Sequence, residues 1–437
     1  MNFAFNDIRG ERGTNFAGRI GQPASWRAGM KYSKHVQIMS APFATKKFPL
    51  RDLLNNAKPQ SCILILPMKR VQSAFVLVLV SVIVLRMAFI FLRTPSVSID
   101  HERLRSVWLH SQYNLGKGYE FFGNMPDEDL YAFSALEYVS GKNPVQVNYE
   151  NPPLAKYLLG ISYLVFGNIL VVQFIASFGI LLLTYLLTRH HFLLSPIAFL
   201  PPLLLVVDPL FVKASTTVNL DLIQLFFALV ALYLLTLRQR SPFLLFFLGC
   251  AIGGIMASKV FFVGLLLLVY SSFVLWLNRT PRLLSSIVPV FIGCLLVYLG
   301  SYAVYFAYRS PSDFLKLHID IIRLYRSYLP EYPWFEIWRI LLVGQWRTWF
   351  AKPSIQPVAE YWLGWPIAAV LSGSLLLSRR TWRLPLPPST VLLGWALVYL
   401  LFQSVHVVFP RYLLLVLPIL YALSAIRIST LPPKIPS

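Results

Sequence analysis

The chain has little charge, almost no cysteine and few acidic residues for its length. Of its 437 residues only 13% are Asp, Glu, Lys or Arg, whereas soluble domains contain about 25%. Because 57% of the residues are hydrophobic and the mean hydropathy is +0.62, a water-soluble enzyme and a disordered chain are both excluded. Three scattered cysteines, Cys62, Cys250 and Cys294, are too few for a disulfide framework or a zinc ribbon.

Basic residues outnumber acidic ones, with 39 Lys and Arg against 18 Asp and Glu and a formal net charge of +21. The apolar residues stand in long uninterrupted blocks, which predict an all-α, polytopic membrane protein surrounded by lipid. In such a protein an excess of Lys and Arg is typical of cytoplasmic loops. Nucleic acid is therefore not an expected partner.

The first 67 residues differ from the rest of the chain. They are polar and basic, they show no sustained periodicity, and no apolar core of a signal peptide lies near residue 1. Met68-Lys69-Arg70 directly precedes the first long apolar run. We expect residues 1–67 to be a disordered cytoplasmic tail or an overextended gene start. A transmembrane domain is expected at 68–427, followed by a cytoplasmic tail at 428–437.

Ten apolar runs approach the length of about 20 residues that a membrane-spanning helix needs. An eleventh run at 154–166 is shorter and contains Lys156. Pro201, Pro202 and Pro209 predict a kink in the third long run, with a packing role favoured. The ten runs lie at 71–92, 169–188, 193–212, 218–237, 242–258, 260–277, 284–307, 359–378, 389–407 and 411–427.

Four basic clusters indicate how many of these runs cross the membrane, because positive residues stay on the cytoplasmic side. With ten crossings all four clusters lie inside, and an eleventh crossing at 154–166 would place all four outside. We therefore predict that 154–166 is an interfacial helix on the outer face. Two outer loops, at about 93–168 and 308–358, then carry short interfacial helices. The clusters begin at Arg189, Arg238, Arg279 and Arg379.

Three adjacent acids, Asp127, Glu128 and Asp129, stand in the first outer loop before a helix-like stretch. One interpretation is structural, because acids favour helix N-termini. The other is functional, because a partly shielded carboxylate near a cation can take a proton from an attacking hydroxyl. The spacing alone leaves both open.

Further charged residues stand at the predicted outer ends of the spans and, in the case of Arg347, in the second outer loop. Each alone is explained by a side chain that reaches from a helix end toward water. Together they describe a cavity of acids and cations, suited to a lipid phosphate held by Lys or Arg with a carboxylate opposite. These residues are Asp221, Lys259, Arg347 and Arg411.

At these positions the chain resembles the protein O-mannosyltransferases, a family of membrane glycosyltransferases of the GT-C type. The block DEDLYAFSALEYVSGKNP followed by NYENPPLAKYLLGISYLVFG is similar to the family's first outer loop. Two later stretches, VDPLFVKASTTVNLDLIQLFFALVALYLL and GGIMASKVFFVGLL, resemble its following helices. The resemblance covers about residues 68–427, and aminoarabinose transferases to lipid A have a similar block.

The resemblance implies an inverting transferase that takes a sugar, expected to be mannose, from a polyprenyl or dolichyl phosphate. It implies that Asp127 is the catalytic base, Glu128 its partner and Lys156 the Lys of the Pro-Pro-Leu motif. No catalytic metal or other cofactor is expected. The donor and the acceptor, a Ser/Thr hydroxyl of a protein or a lipid or glycan, would contact Lys156, Glu150, Asp221, Lys259, Arg347 and Arg411.

Two departures from the family pattern matter. Val172-Gln173 stands where many members have an Arg, so another cation, such as Lys156, Lys259 or Arg411, must hold the phosphate. The 308–358 loop is too short for the soluble insertion of the eukaryotic members, which favours a prokaryotic cell membrane with an outward-facing site. The alternative from another class is a transporter or flippase of a lipid-linked or anionic substrate, and an inactive transferase-like subunit is a third reading.

Overall fold

The computed structural model describes residues 65–93, 99–114, 118–189, 196–237, 241–278, 283–327, 334–348 and 354–430. The expectations for residues 1–64 and 431–437 lie outside these ranges. The chain divides into two units, Met1–Lys69 and Arg70–Ser437. Of the first unit only residues 65–69 are described. They form the start of the first described helix, which begins at Ile65, three residues before Met68.

The described chain is mostly helical, as the hydropathy pattern predicts. The helices before residue 240 are α1 (Ile65–Arg93), α2 (His101–Leu109), α3 (Asp127–Val139), α4 (Pro144–Val147), α5 (Leu154–Phe166), α6 (Val171–Arg189), α7 (Leu200–Val207), α8 (Pro209–Thr216) and α9 (Asp221–Thr236). Those after it are α10 (Pro242–Ser258), α11 (Phe261–Leu277), α12 (Leu283–Ser301), α13 (Ala303–Phe306), α14 (Pro311–Ser327), α15 (Glu336–Val343), α16 (Gly364–Gly373), α17 (Pro388–Gln403) and α18 (Leu417–Ser429).

One small sheet departs from the expected all-α fold. Strands β1 (Gln345–Arg347) and β2 (Ile355–Pro357) pair antiparallel, with Trp346 opposite Gln356. Hydropathy could not predict this hairpin, because each strand has only three residues and no sustained alternation. The described part of the chain also includes short 3₁₀ segments, of which Pro410–Leu415 matters for the site.

Three described helices are long and apolar enough to cross a membrane: Val76–Arg93 of α1, α6 and α12. The bent pair Pro196–Val207 and Pro209–Thr216 becomes a fourth if it counts as one span. The remaining apolar helices are shorter. α9, for example, has 16 residues and is about 24 Å long at 1.5 Å per residue, less than the roughly 30 Å of a hydrocarbon core. The count of ten spans and the interfacial position of α5 stay predictions.

The predicted kink in the third apolar run is sharp and lies at Asp208. α7 includes Pro201 and Pro202 at its N-terminal end, where proline is tolerated. The chain then bends by 62° before Pro209 starts α8. Proline cannot continue the preceding helix because it lacks a backbone N–H. The Asp208 carboxylate caps the new helix by accepting hydrogen bonds from the backbone N–H groups of Leu210 and Phe211.

Asp208 also connects this bend to the last third of the chain through side-chain hydrogen bonds. Its second oxygen accepts hydrogen bonds from Trp362 Nε1 at 3.2 Å, Trp365 Nε1 at 2.9 Å and the Tyr421 hydroxyl at 2.6 Å. Asp208 is fully buried, and five donors replace the water that the carboxylate loses. The sequence analysis did not single out this residue.

Close helix packing in the apolar part depends on glycine. A Cβ at Gly249 of α10 would overlap the backbone carbonyl of Val290 in α12, and one at Gly293 would overlap the carbonyl of Phe246. Small residues let two helix backbones approach closely within a membrane. α10 and α12 therefore pack backbone to backbone, beside α9.

Helix α3 packs between two neighbouring helices, α2 and α5. On one side the ring of Phe133 lies 5.8 Å from His101 and 5.3 Å from Trp108, both on α2. On the other side Gly160 of α5 lies against the backbone of Ala135. This packing on two sides fixes the position of the N-terminus of α3, where the three adjacent acids stand.

Candidate active site

Asp127 is the first residue of α3, with Pro126 as the N-cap. Asp127, Glu128 and Asp129 all lie in the first turn, where negative charge is favoured by the helix dipole. Asp129 makes an ion pair with Arg103 at 3.2 Å, and Glu128 is exposed. The Asp127 side chain is 39% exposed and pairs with a different arginine, far along the chain.

The partner of Asp127 is Arg411, 284 residues further along the chain. Arg411 lies in the Pro410–Leu415 segment, which packs against α9. Its Nη2 donates a hydrogen bond to Asp127 Oδ2. Its guanidinium also lies 4.9 Å from the centre of the Phe409 ring, at a distance that permits a cation–π contact.

A second ion pair lies directly behind this contact. Asp221 is the first residue of α9, and Lys259 caps the C-terminus of α10. Lys259 Nζ lies 2.6 Å from Asp221 Oδ1, and the two side chains are only 4% and 2% exposed. The amine also lies 4.7 Å from the centre of the Tyr412 ring. A buried pair of this kind needs good geometry, because both ions have lost their water.

Arg411 joins the two pairs into one cluster of four charges. Its Nε lies 3.7 Å from Asp221 Oδ2, which is longer than a hydrogen bond. Two carboxylates, Asp127 and Asp221, thus alternate with two cations, Arg411 and Lys259. The structure brings these four of the eight candidate residues into contact.

Tyr131 is a neighbour of the cluster that the sequence analysis did not identify. It lies one turn after Asp127 on α3 and is fully buried. Burial raises the pKa of its phenol well above the usual range. The charge of Asp127 raises this pKa further, whereas Arg411 lowers it. The spacing of four residues from Asp127 was the available signal, since residues at i and i+4 share a helix face.

Glu150 lies on the loop before α5, close enough to Asp127 for their charges to interact. Burial first, and then the negative charge of Asp127, raises the pKa of Glu150 above its usual value of 4.5. Lys156 and a hydrogen bond from the Tyr113 hydroxyl, at 3.5 Å, act in the opposite direction. Glu150 thus belongs to the same electrostatic environment as the base candidate.

The Lys156 amine has its hydrogen-bond partners in the loop that precedes α5. The side chain is completely buried. Its amine donates hydrogen bonds of 2.7 Å to Asn148 Oδ1 and to the backbone carbonyl of Asn151, and lies 5.2 Å from the centre of the Tyr138 ring. These hydrogen bonds connect the 148–151 loop to α5. Its role in binding phosphate stays a prediction.

Arg347 lies on β1, and its side chain is exposed. Its backbone N–H donates a 2.6 Å hydrogen bond to Glu336, a buried acid that the sequence analysis also missed. The neighbouring Trp346 ring lies 5.8 Å from the Phe409 ring. The hairpin is therefore connected to the segment that carries Arg411, and Arg347 itself stays a candidate for substrate binding.

The described residues include no group of three or more His, Cys, Asp or Glu side chains placed to hold one metal ion. The expectation of a reaction without a metal or other cofactor stays a prediction.

Comparisons with known proteins show what the chain is similar to. The model of the dolichyl-phosphate-mannose-protein mannosyltransferase family matches residues 150–305. This match confirms the resemblance to that family over a middle segment that includes Lys156, Asp221 and Lys259. Asp127 and Arg411 lie outside the matched range. No curated protein matches the chain.

Two solved structures show the fold. A crystal structure of ArnT from Cupriavidus metallidurans bound to undecaprenyl phosphate matches with a TM-score of 0.55 and 16% identity, over 83% of this chain and 61% of that chain. ArnT in the apo state matches with a TM-score of 0.51 and 16% identity, over 71% and 56%. The chain thus spans about three fifths of the length of ArnT.

The apolar helices and the similarity to ArnT identify an integral membrane protein with the GT-C glycosyltransferase fold. Within that class, the chain resembles the dolichyl-phosphate-mannose-protein mannosyltransferases.

Proposed function

We propose that this protein is an inverting glycosyltransferase that moves a sugar from a polyprenyl phosphate to an acceptor hydroxyl at the outer membrane face. The observation that carries the proposal is the contact between Asp127 and Arg411. In this contact a partly exposed carboxylate at the N-terminus of α3, a helix that we predict to lie in the first outer loop, is paired with a cation. A base and a cation for a leaving phosphate are the two groups that this reaction needs.

The reaction is a single displacement at C1 of the sugar. Asp127 accepts the proton of the acceptor hydroxyl while that oxygen forms a bond to C1 from the face opposite the phosphate. The bond between C1 and the phosphate oxygen breaks, and its electron pair stays on the phosphate. Negative charge therefore grows on the leaving group, where a fixed cation such as Arg411 stabilises the transition state.

A groove on the apolar surface supports a lipid donor. It has a volume of about 360 Å³ and lies where the start of α5 meets the end of α12 and α13. Its walls are mostly apolar, and Tyr157 in its lining directly follows Lys156. We assign the hydrocarbon chain of the donor to this groove. Its lining residues are Leu154, Tyr157, Leu296, Val297, Gly300, Ser301, Ala303 and Val304.

The sugar and the acceptor are the finer part of the proposal. The family match supports mannose as the sugar and a Ser or Thr of a protein as the acceptor. The ArnT structure was solved with undecaprenyl phosphate, which supports a polyprenyl phosphate as the carrier. A lipid or glycan acceptor is the alternative, and a prokaryotic cell membrane is the proposed location.

The test uses the full chain, purified and reconstituted in liposomes, with radiolabelled polyprenyl-phosphate mannose. One arm adds a Ser/Thr-rich peptide and the other a lipid acceptor. Label in either acceptor supports transfer, and the arm that gains label identifies the acceptor class. Label that only changes its side of the vesicle would support a flippase instead. If neither labelled mannose nor any other labelled lipid-linked sugar is transferred to an acceptor or moved across the membrane, the proposal is overturned.

A further inference from the structure

Two buried polar atoms in the charge cluster face each other without forming a hydrogen bond. Arg411 Nε and Asp221 Oδ2 are both inaccessible, and neither has a hydrogen-bond partner within the described part of the chain. They lie 3.7 Å apart. A buried polar atom without a hydrogen bond costs about 1–3 kcal/mol. A small movement of Arg411 toward Asp221 would therefore be favourable.

The hydrogen bond from Arg411 to Asp127 holds the guanidinium away from Asp221. Nη2 of the same guanidinium donates to Asp127 Oδ2. The two carboxylates therefore compete for one cation, and Lys259 already neutralises Asp221 at its other oxygen, at 2.6 Å. Among the described residues Asp127 is paired with Arg411, whereas Asp221 has both Lys259 and Arg411 nearby.

A lipid phosphate would enter this competition as a third anion. The Asp127 and Arg411 side chains are 39% and 27% exposed, whereas the Lys259–Asp221 pair is closed to solvent. Arg411 is therefore the cation of the cluster that an incoming phosphate can reach. Guanidinium groups bind phosphate in a fork of two hydrogen bonds, which would use the same Nη atoms that now bind Asp127.

We propose that Arg411 is exchanged between Asp127 and the donor phosphate, with Asp221 and Lys259 as the positioning residues that receive and hold it. This inference rests on the proposed function and extends it to the order of events. Phosphate binding draws the guanidinium from Asp127, Nε closes on Asp221 Oδ2, and the released Asp127 can accept the proton of the acceptor. Asp127 thus becomes available as a base only when a donor phosphate is bound.

The exchange has a consequence for binding that does not require turnover. If the phosphate must displace Asp127 from Arg411, then removal of the Asp127 charge should strengthen phosphate binding. The two events are coupled through one free energy, so each affects the other by the same factor. The probe is undecaprenyl phosphate without a sugar, titrated into the purified full-length protein in nanodiscs.

The expected result is that Asp127→Asn binds undecaprenyl phosphate about tenfold more tightly than the original protein. Asp129→Asn is the matched control, because it removes the same charge from the same helical turn but contacts Arg103. A comparable gain in Asp129→Asn would mean that general electrostatics explains the effect, and would overturn the exchange.

A double-mutant cycle isolates the role of Arg411. In an Arg411→Gln background the Asp127→Asn substitution should change affinity by about twofold or less, because no shared cation is left. Arg411→Met, which also removes the charge, replaces Arg411→Gln if the latter does not give monodisperse protein. An equal gain in both backgrounds would overturn the proposal. A protein that binds the lipid but transfers no sugar would refute the proposed function and leave this cycle interpretable.

The positioning role is tested with Asp221→Asn combined with Lys259→Gln, which keeps the cluster neutral. Without Asp221, Arg411 stays on Asp127. The KM for the donor should then rise about tenfold, with a smaller change in kcat. A loss of turnover with an unchanged KM would indicate a merely structural pair and would overturn the positioning role.

Discussion

The amine of Lys259 lies 2.6 Å from a carboxylate oxygen of Asp221, and both side chains are almost completely buried. The two residues occupy the C-terminal end of α10 and the N-terminal start of α9. This pair forms the closed side of the site, whereas Asp127 and Arg411 form its accessible side.

Removing only one charge of the Lys259–Asp221 pair should destabilise the protein more than removing both charges. Lys259→Met leaves the buried Asp221 carboxylate without its 2.6 Å partner and with Arg411 at 3.7 Å as its remaining cation, and we expect a cost of up to about 3–5 kcal/mol of unfolding free energy. The combination of Lys259→Met with Asp221→Asn should recover most of that loss. Thermal unfolding of the purified variants in one detergent measures both. Equal losses in the single and combined variants would contradict a mutual dependence of the two charges.

Removal of the Asp127 carboxylate should abolish transfer without unfolding the protein. Asp127→Asn cannot accept the proton of the acceptor, so we expect turnover to fall by about 10²–10⁴-fold. The transfer assay with radiolabelled donor measures turnover, and size-exclusion chromatography checks folding. Asp129→Asn, which loses only its ion pair with Arg103, should retain most of the activity. Near-normal turnover of Asp127→Asn would show that another group is the base.

The carboxylate of Asp208 should be essential for the bend between α7 and α8. Asp208→Ala leaves the Trp365 N–H group and the Tyr421 hydroxyl without their acceptor, whereas the Trp362 N–H keeps its 3.1 Å hydrogen bond to the Tyr421 oxygen. Each buried donor without a partner costs about 1–3 kcal/mol, so we expect a large decrease in melting temperature.

The matched control for Asp208 is Glu360→Gln. It removes the ion pair with Lys213, whose side chain is 60% exposed, and exposed pairs contribute only about 0–1 kcal/mol. If Asp208→Ala melts at the same temperature as Glu360→Gln, the anchoring role of Asp208 is wrong.

The backbone contact between α10 and α12 predicts a strong difference between two glycine substitutions. Gly249→Ala places a methyl group against the Val290 carbonyl, a backbone atom that cannot move away easily. We expect a loss of about 1–3 kcal/mol, the usual cost of overpacking. Gly300→Ala is the control, because nothing lies within 4 Å of its Cβ position. Both are compared by thermal unfolding, and similar melting temperatures would contradict the close packing.

Glu150 should make stability depend on pH. Its pKa in the folded protein is raised above 4.5, so the folded state holds a proton that the unfolded state has already released. Stability should therefore decrease as pH rises from about 4.5 through the raised pKa. Glu150→Gln has no proton to lose and should be the more stable protein above that range. Melting temperatures of both proteins between acidic and neutral pH measure the difference, which should vanish at the acidic end.

Part of the site could be predicted because it follows from local sequence. Asp127 and Asp221 each start a helix in the structure, and Lys259 follows the end of one. Charges that interrupt apolar runs must lie near the ends of buried helices, since charge is costly inside a membrane. Asp208 also interrupts an apolar run, but its side-chain partners are uncharged residues more than 150 positions further along the chain, which no local pattern indicates.

Hydropathy by itself determined that this chain is a helical membrane protein, because a backbone within lipid must satisfy its own hydrogen bonds over long apolar segments. Only the tertiary structure decided which charges meet. Arg411 contacts Asp127 across 284 residues, whereas Lys156, close to Asp127 in sequence, is directed into its own loop. Pairing of distant side chains depends on how the helices pack, and no local pattern records that packing.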